Sequence, residues 1–137
     1  MKSKYFILII TFLIFSIYVY PQSNLIVDSD FENGSSSWTI LSGASRATSQ
    51  PKSGSYALTA ASNSGASQII TGLIPNTTYL LTAWLKSSNN KSVILGVKWF
   101  GGNELTVQTA SSDYTQLTIK FTTGPVSTTA VIYTQNP

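Results

Sequence analysis

The chain has 137 residues, 42% hydrophobic and 9% charged, with no cysteine and no histidine. That length predicts one domain, or one domain plus a targeting segment; the two absences exclude a disulfide scaffold, a zinc-thiolate site, a cysteine nucleophile and the commonest general base. After Lys2 and Lys4, six basic residues (Arg46, Lys52, Lys86, Lys91, Lys98, Lys120) stand against five acids (Asp28, Asp30, Glu32, Glu104, Asp113), so the body carries +1 and the pI near 9.2 misleads as a guide to partners.

No basic run or stripe exists, so the electrostatic footprint of a nucleic-acid binder is absent. The polar surface is instead supplied by 21 Ser and 17 Thr. Hydroxyls in place of charges suit an extracellular β-rich module. Aromatics at 12% exclude a disordered tail.

In chain order, the first element is a leader. Two lysines precede the apolar run Tyr5–Tyr20, interrupted by Thr11 and Ser16, which is the layout of a secretory signal peptide. The run is shorter than the roughly 20 residues a membrane-spanning helix needs. Cleavage is expected near Gln22 or Ser23; retention as an anchor is the alternative, and either places the domain in the secreted or cell-surface compartment. Residues 1–22 are thus the signal peptide and 23–137 the domain.

Short strands follow, at Asn24–Val27, Ser37–Leu41, Ser45–Thr48, Tyr56–Ala60, Ser67–Thr71, Thr78–Ser87, Ser92–Phe100, Leu105–Thr109, Thr115–Thr122 and Thr129–Thr134. Turn residues separate them, as in Glu32-Asn33-Gly34-Ser35, Pro51-Lys52-Ser53-Gly54 and Gly101-Gly102-Asn103. No stretch after the leader keeps a helical period. Many short strands at regular spacing predict an all-β antiparallel sandwich or jelly roll. A hairpin through Asn89-Asn90 would make Thr78–Ser87 and Ser92–Phe100 neighbours. Asp28, Asp30 and Glu32 alternate and share a face if their segment is extended.

Period two assigns faces in the longer strands. Tyr79, Leu81, Ala83 and Leu85 oppose Leu80, Thr82, Trp84 and Lys86. Val93, Leu95, Val97 and Trp99 oppose Ile94, Gly96, Lys98 and Phe100, and Leu117, Ile119 and Phe121 oppose Gln116, Thr118 and Lys120. One face of each set is core. Trp84 therefore shares a polar face with Thr82 and Lys86.

The segment Asn24–Gly34 followed by Trp38 resembles the opening of the CenC-type carbohydrate-binding modules, families 4, 9 and 22, found beside cellulases and xylanases. The resemblance continues through Ser53–Leu58, Gln68–Tyr79, Ala83–Lys86, Gly96–Gly102, Asp113–Gln116 and Phe121–Gly124, in the family's order. It implies a galactose-binding-like jelly roll and a non-catalytic role in holding glycans. Family modules close with a strand bearing an acidic pair, whereas this sequence reaches Tyr133–Pro137 before one. The expectation is a sandwich lacking its last strand, with an open edge that a strand-completing partner chain could pair. The resemblance also implies a structural calcium held by Glu32 and the Ser53 and Gly54 carbonyls, an incomplete set without the late aspartate.

Sugar binding uses flat aromatic platforms with polar groups beside them. Trp84 and Trp99 are the platform candidates. Trp84 fits the interior equally well, and Trp99 has core parity; Trp38 reads as core, with Phe31, Tyr79 and Phe121. Tyr56 and Tyr114 could serve either purpose. Arg46, Gln68, Lys98 and Gln116 are candidate hydroxyl partners that look the same in sequence as solvated surface residues. No catalytic residue is expected, because no carboxylate pair is placed across a cleft, and Gly101-Gly102 reads as a hairpin turn. The expected function is a non-catalytic carbohydrate-binding module of an exported protein, holding a polysaccharide or glycan beside a fused or associated glycoside hydrolase. The alternative is a structural or adhesive spacer without sugar specificity.

Overall fold

The computed structural model describes residues 23–137, so the predicted leader lies outside the described residues. Among the described residues nine strands follow one another: β1 Thr39–Ile40, β2 Ala44–Ala47, β3 Ala57–Ala60, β4 Ser64–Thr71, β5 Thr78–Leu85, β6 Val93–Lys98, β7 Leu105–Thr109, β8 Thr115–Thr122 and β9 Thr129–Asn136. One sheet has the order β1-β4-β9-β6-β7; β5 pairs with β8, and β2 with β3. Every pairing is antiparallel. The all-β antiparallel class is as expected.

The core follows from strand alternation. Tyr79 and Leu81 of β5 and Ile119 and Phe121 of β8 point inward, meeting Ile70 of β4, Leu95 and Val97 of β6, and Ala130 and Ile132 of β9. Val97 has no exposed surface. Phe121 lies at the centre, its ring 5.7 Å from Tyr79 and 5.1 Å from Phe100 between centroids. Offset aromatic packing of this kind adds to the area term of burial.

The longest ladders join distant parts of the chain. Strand β4 runs against β9 from Ser64↔Asn136 to Thr71↔Thr129, and β5 against β8 from Thr78↔Thr122 to Leu85↔Thr115. The expected hairpin through Asn89-Asn90 does not form. The β5–β6 connection instead crosses between sheets, with Ser87 N–H donating to the Ser111 carbonyl at 2.7 Å. The hairpin around Gly101-Gly102 does form, joining β6 to β7.

The amino-terminal segment departs from its expected extended form. Residues 26–33 form turns and bends, with Asp28 at φ 49° and Phe31 at φ 62°. Positive φ interrupts the alternation that would have put Asp28, Asp30 and Glu32 on one strand face. Trp38 packs partly buried against the core, its Nε1–H donating to the Asp28 carbonyl at 3.1 Å, and its ring lies 5.1 Å from Phe31.

Candidate functional site: an aromatic face on β5 and β8

Two ladder edges open onto one cleft. β3 has a single partner, β2, and β5 a single partner, β8, among the described residues. Between them lies a cleft of about 740 Å³, lined by Leu58 and Ala60 on one side, Thr82 and Trp84 on the other, and Ile132 at depth. An unpaired edge is a row of donors and acceptors available to another extended segment.

Trp84 stands at the margin of this cleft. Because Leu81 and Leu85 face the core, alternation turns Trp84 outward, where its side chain is 47% exposed. Gln116 is its register partner on β8, so the two stand side by side on the same outer face, with Thr82 and Thr118 as the next pair. The sequence thus marks two residues that the fold brings together.

The loop after β2 completes the cluster. The Lys52 ammonium sits 4.5 Å from the Trp84 ring centroid, and that of Lys86 sits 4.8 Å from Tyr114. Lys86 also donates to Gln50 Oε1, while the Tyr114 hydroxyl donates to the Gln50 carbonyl at 2.8 Å. Partial burial holds the Tyr114 phenol above its ordinary pKa. Rings, amides and ammonium groups therefore share one open surface. Sequence reasoning had not singled out Gln50 and Lys52 as site residues; Lys86 was visible two places beyond Trp84 on the same face.

Two other candidates hold the fold together. Gln68 is 6% exposed, and its side-chain amide both donates to the Val27 carbonyl and accepts from Val27 N–H, at 2.9 Å each. One donor and one acceptor of the amide are committed to fixing the amino-terminal segment. Arg46 donates from Nε to the Phe31 carbonyl and from Nη2 to that of Glu32, while its guanidinium stacks 3.1 Å over Tyr56. Both anchor a turn-rich corner.

Glu32 belongs to the same corner. Its Oε1 accepts from Ser55 N–H at 2.8 Å and Tyr56 N–H at 2.9 Å. A Cβ on Gly54 would stand 2.5 Å from that oxygen, and Gly54 has φ +66°, so glycine allows both the turn and the approach. Calcium takes six to eight oxygen ligands. One carboxylate already accepting two amides, with the Ser53 and Gly54 carbonyls, falls short of that shell, and no three His, Cys, Asp or Glu side chains gather among the described residues. Here Glu32 pins the loop that carries Lys52.

Lys98 and Trp99 lie on the other side of the sandwich. Lys98 points outward from β6, opposite to Leu95 and Val97, and Trp99 follows at φ 61°. That left-handed residue ends the alternation, and the expected core position becomes a side chain 70% exposed. The inward place is taken by Phe100, 4% exposed. Such a φ in a bulky residue costs about 1–3 kcal/mol.

Residues 23–137 match the family described as Carbohydrate binding domain (CBM_4_9). The chain belongs to this family. It is 33% identical over 117 residues to a keratan-sulfate endo-1,4-beta-galactosidase of Sphingobacterium multivorum, covering 82% of this chain and 28% of that enzyme. Thus the domain spans little more than a quarter of that relative. Two solved structures share the fold. A Family 16 Carbohydrate Binding Module-2 superposes with a TM-score of 0.70 at 23% identity, over 82% of this chain and 89% of that one. TmCBM61, solved in complex with beta-1,4-galactotriose, gives 0.66 at 17% identity, over 82% and 86%. The domain is therefore a carbohydrate-binding β-sandwich.

Proposed function

We propose that the domain holds a β-linked, galactose-containing polysaccharide on the outer face of β5 and β8, with Trp84 as the stacking platform. The carrying observation is the half-exposed Trp84 indole beside Gln116, with Lys52 over the ring and Lys86 and Tyr114 nearby. A pyranose presents an apolar C–H face to such a ring while its hydroxyls meet amide and ammonium groups. The relative that acts on keratan sulfate and the module crystallised with a galactotriose favour galactose over other sugars.

The domain acts by binding alone. A glycosidase needs two carboxylates facing each other across its cleft, and of the five acids only Asp30 lines the cleft. Its task is to keep a joined glycoside hydrolase on the polysaccharide, in the secreted or cell-surface compartment to which the leader directs it.

Isothermal titration of the full chain with β-1,4-galactan and with keratan sulfate tests this reading. Trp84→Ala should weaken binding about thirtyfold, or about 2 kcal/mol, as expected for a central aromatic contact, with no change in thermal unfolding. Wild-type protein indifferent to both glycans, or a Trp84→Ala protein that binds as well as wild type, would sink it.

A further inference from the structure

Trp99 forgoes burial and adopts an unfavourable backbone conformation at once. Among the described residues it is the most exposed of the large aromatic side chains, and its φ is 61°. Asparagine or glycine would fill that position without strain. A tryptophan kept on those terms is serving something outside the core.

Its surroundings form a platform. Tyr133 stands on the outer face of β9 opposite Gly96 of β6, and its ring occupies the space above that glycine. A Cβ on Gly96 would come within 2.2 Å of Tyr133 Cζ, so the missing side chain is what lets the phenol cover the sheet. The Lys98 ammonium lies between the two aromatics, 4.9 Å from the Trp99 centroid and 5.3 Å from that of Tyr133. The Tyr133 hydroxyl donates to Glu104 Oε1 at 2.6 Å, which fixes the ring and leaves a carboxylate at its edge. Thr106, the register partner of Gly96 on β7, adds a hydroxyl beside it.

We propose that Trp99, Tyr133, Lys98 and Glu104 form a second glycan-binding surface, on the opposite side of the sandwich from Trp84, that takes a neutral pyranose ring. Two rings supply the apolar contact, and an ammonium and a carboxylate supply a donor and an acceptor for sugar hydroxyls. The lone carboxylate disfavours an anionic sugar here, whereas Lys52 and Lys86 leave the Trp84 face without that penalty. The inference rests on the family's sugar-binding character, and on no particular glycan at Trp84. Surfaces on opposite faces cannot share one short oligosaccharide. They engage two chains, or two stretches of one chain, and raise avidity on a dense polysaccharide without tightening the binding of a trisaccharide.

The test is native affinity electrophoresis of the full chain in gels containing β-1,4-galactan, alongside titration with β-1,4-galactotriose. Variants are Trp99→Ala, Trp99→Asn, Trp84→Ala and the Trp84→Ala, Trp99→Ala double. Asparagine suits the left-handed position, so Trp99→Asn should fold at least as well as wild type. Expected are a threefold or greater loss of retardation in both Trp99 variants, residual retardation in Trp84→Ala, and none in the double variant. Wild type that is retarded while both Trp99 variants match it overturns the second surface and leaves the Trp84 reading standing. Wild type that ignores galactan overturns both for this glycan. A wild-type dimer in sedimentation that Trp99→Asn abolishes, with glycan binding unchanged, assigns the patch to self-association and overturns the proposal.

Discussion

The β5–β8 ladder and the five-stranded sheet each expose a tryptophan beside a lysine on the outer face, yet the two indoles are held differently. Trp84 sits in regular strand geometry, with Gln116 as register partner and its neighbours Leu81 and Leu85 in the core. Its orientation follows from period two and requires no strain. Trp99 sits one residue beyond β6 in the left-handed region, where the strand's alternation no longer applies. A platform on a strand is precise because the ladder positions it. A platform at a strand end needs neighbours to define it, and here Gly96, Tyr133 and Lys98 do so.

The largest expected effect removes what the faces have in common. Phe121 lies on β8 behind the Trp84 face and packs against Phe100, which follows Trp99. Phe121→Ala should destabilise the domain by about 3–5 kcal/mol through lost burial and a cavity, measured as a shift in the guanidinium unfolding midpoint. Both faces should then fail together as the temperature rises. If one face kept its ligand at a temperature where the other had lost it, the sandwich would not be one cooperative unit.

Separating the faces takes a smaller change. Gly96→Ala puts a methyl group where the Tyr133 ring lies, and the partly exposed ring can swing away. The expected cost is about 1 kcal/mol, at the low end of overpacking penalties. Retardation in galactan should fall through loss of the Trp99 surface, while galactotriose binding at Trp84 stays at the wild-type value. An equal loss at both sites would show that the substitution acted through the fold and not through the platform.

This contrast also explains what could be read in advance. Strands Leu105–Thr109 and Thr115–Thr122 are found at their expected bounds, because each has turn residues at its ends and alternates cleanly. Faces on β5 and β8 are readable for the same reason, including Trp84's place in one row with Thr82 and Lys86, but parity alone leaves both the interior and the exterior open to that indole. The strand partners are not readable. Strand β5 lies against β8 rather than β6, and β4 against β9, since such pairings depend on distant segments. Gln68 carries no local sign that Val27, 41 positions away, will occupy both ends of its amide. Trp99 misled because parity counting assumes an extended backbone through the residue counted.

The smallest effect separates the faces by charge, through one tyrosine on each. Burial holds the Tyr114 phenol above its ordinary value. Tyr133 is pushed up to about 12, by burial first, then by its hydrogen bond to Glu104, then by that carboxylate's charge. Because the neutral phenol is favoured in the folded state, Tyr133 contributes stability that is fully present below about pH 10. From there the unfolded chain ionises first, and the contribution is lost as pH rises through about 12. Glu104→Gln keeps an acceptor and removes the charge. It should lower the Tyr133 titration seen by tyrosinate absorbance, assigned by the step missing in Tyr133→Phe, and leave that of Tyr114 where it was. A coupled shift at Tyr114 would mean that the two faces communicate through the core, and a Tyr133 value indifferent to Glu104→Gln would mean that burial alone sets it.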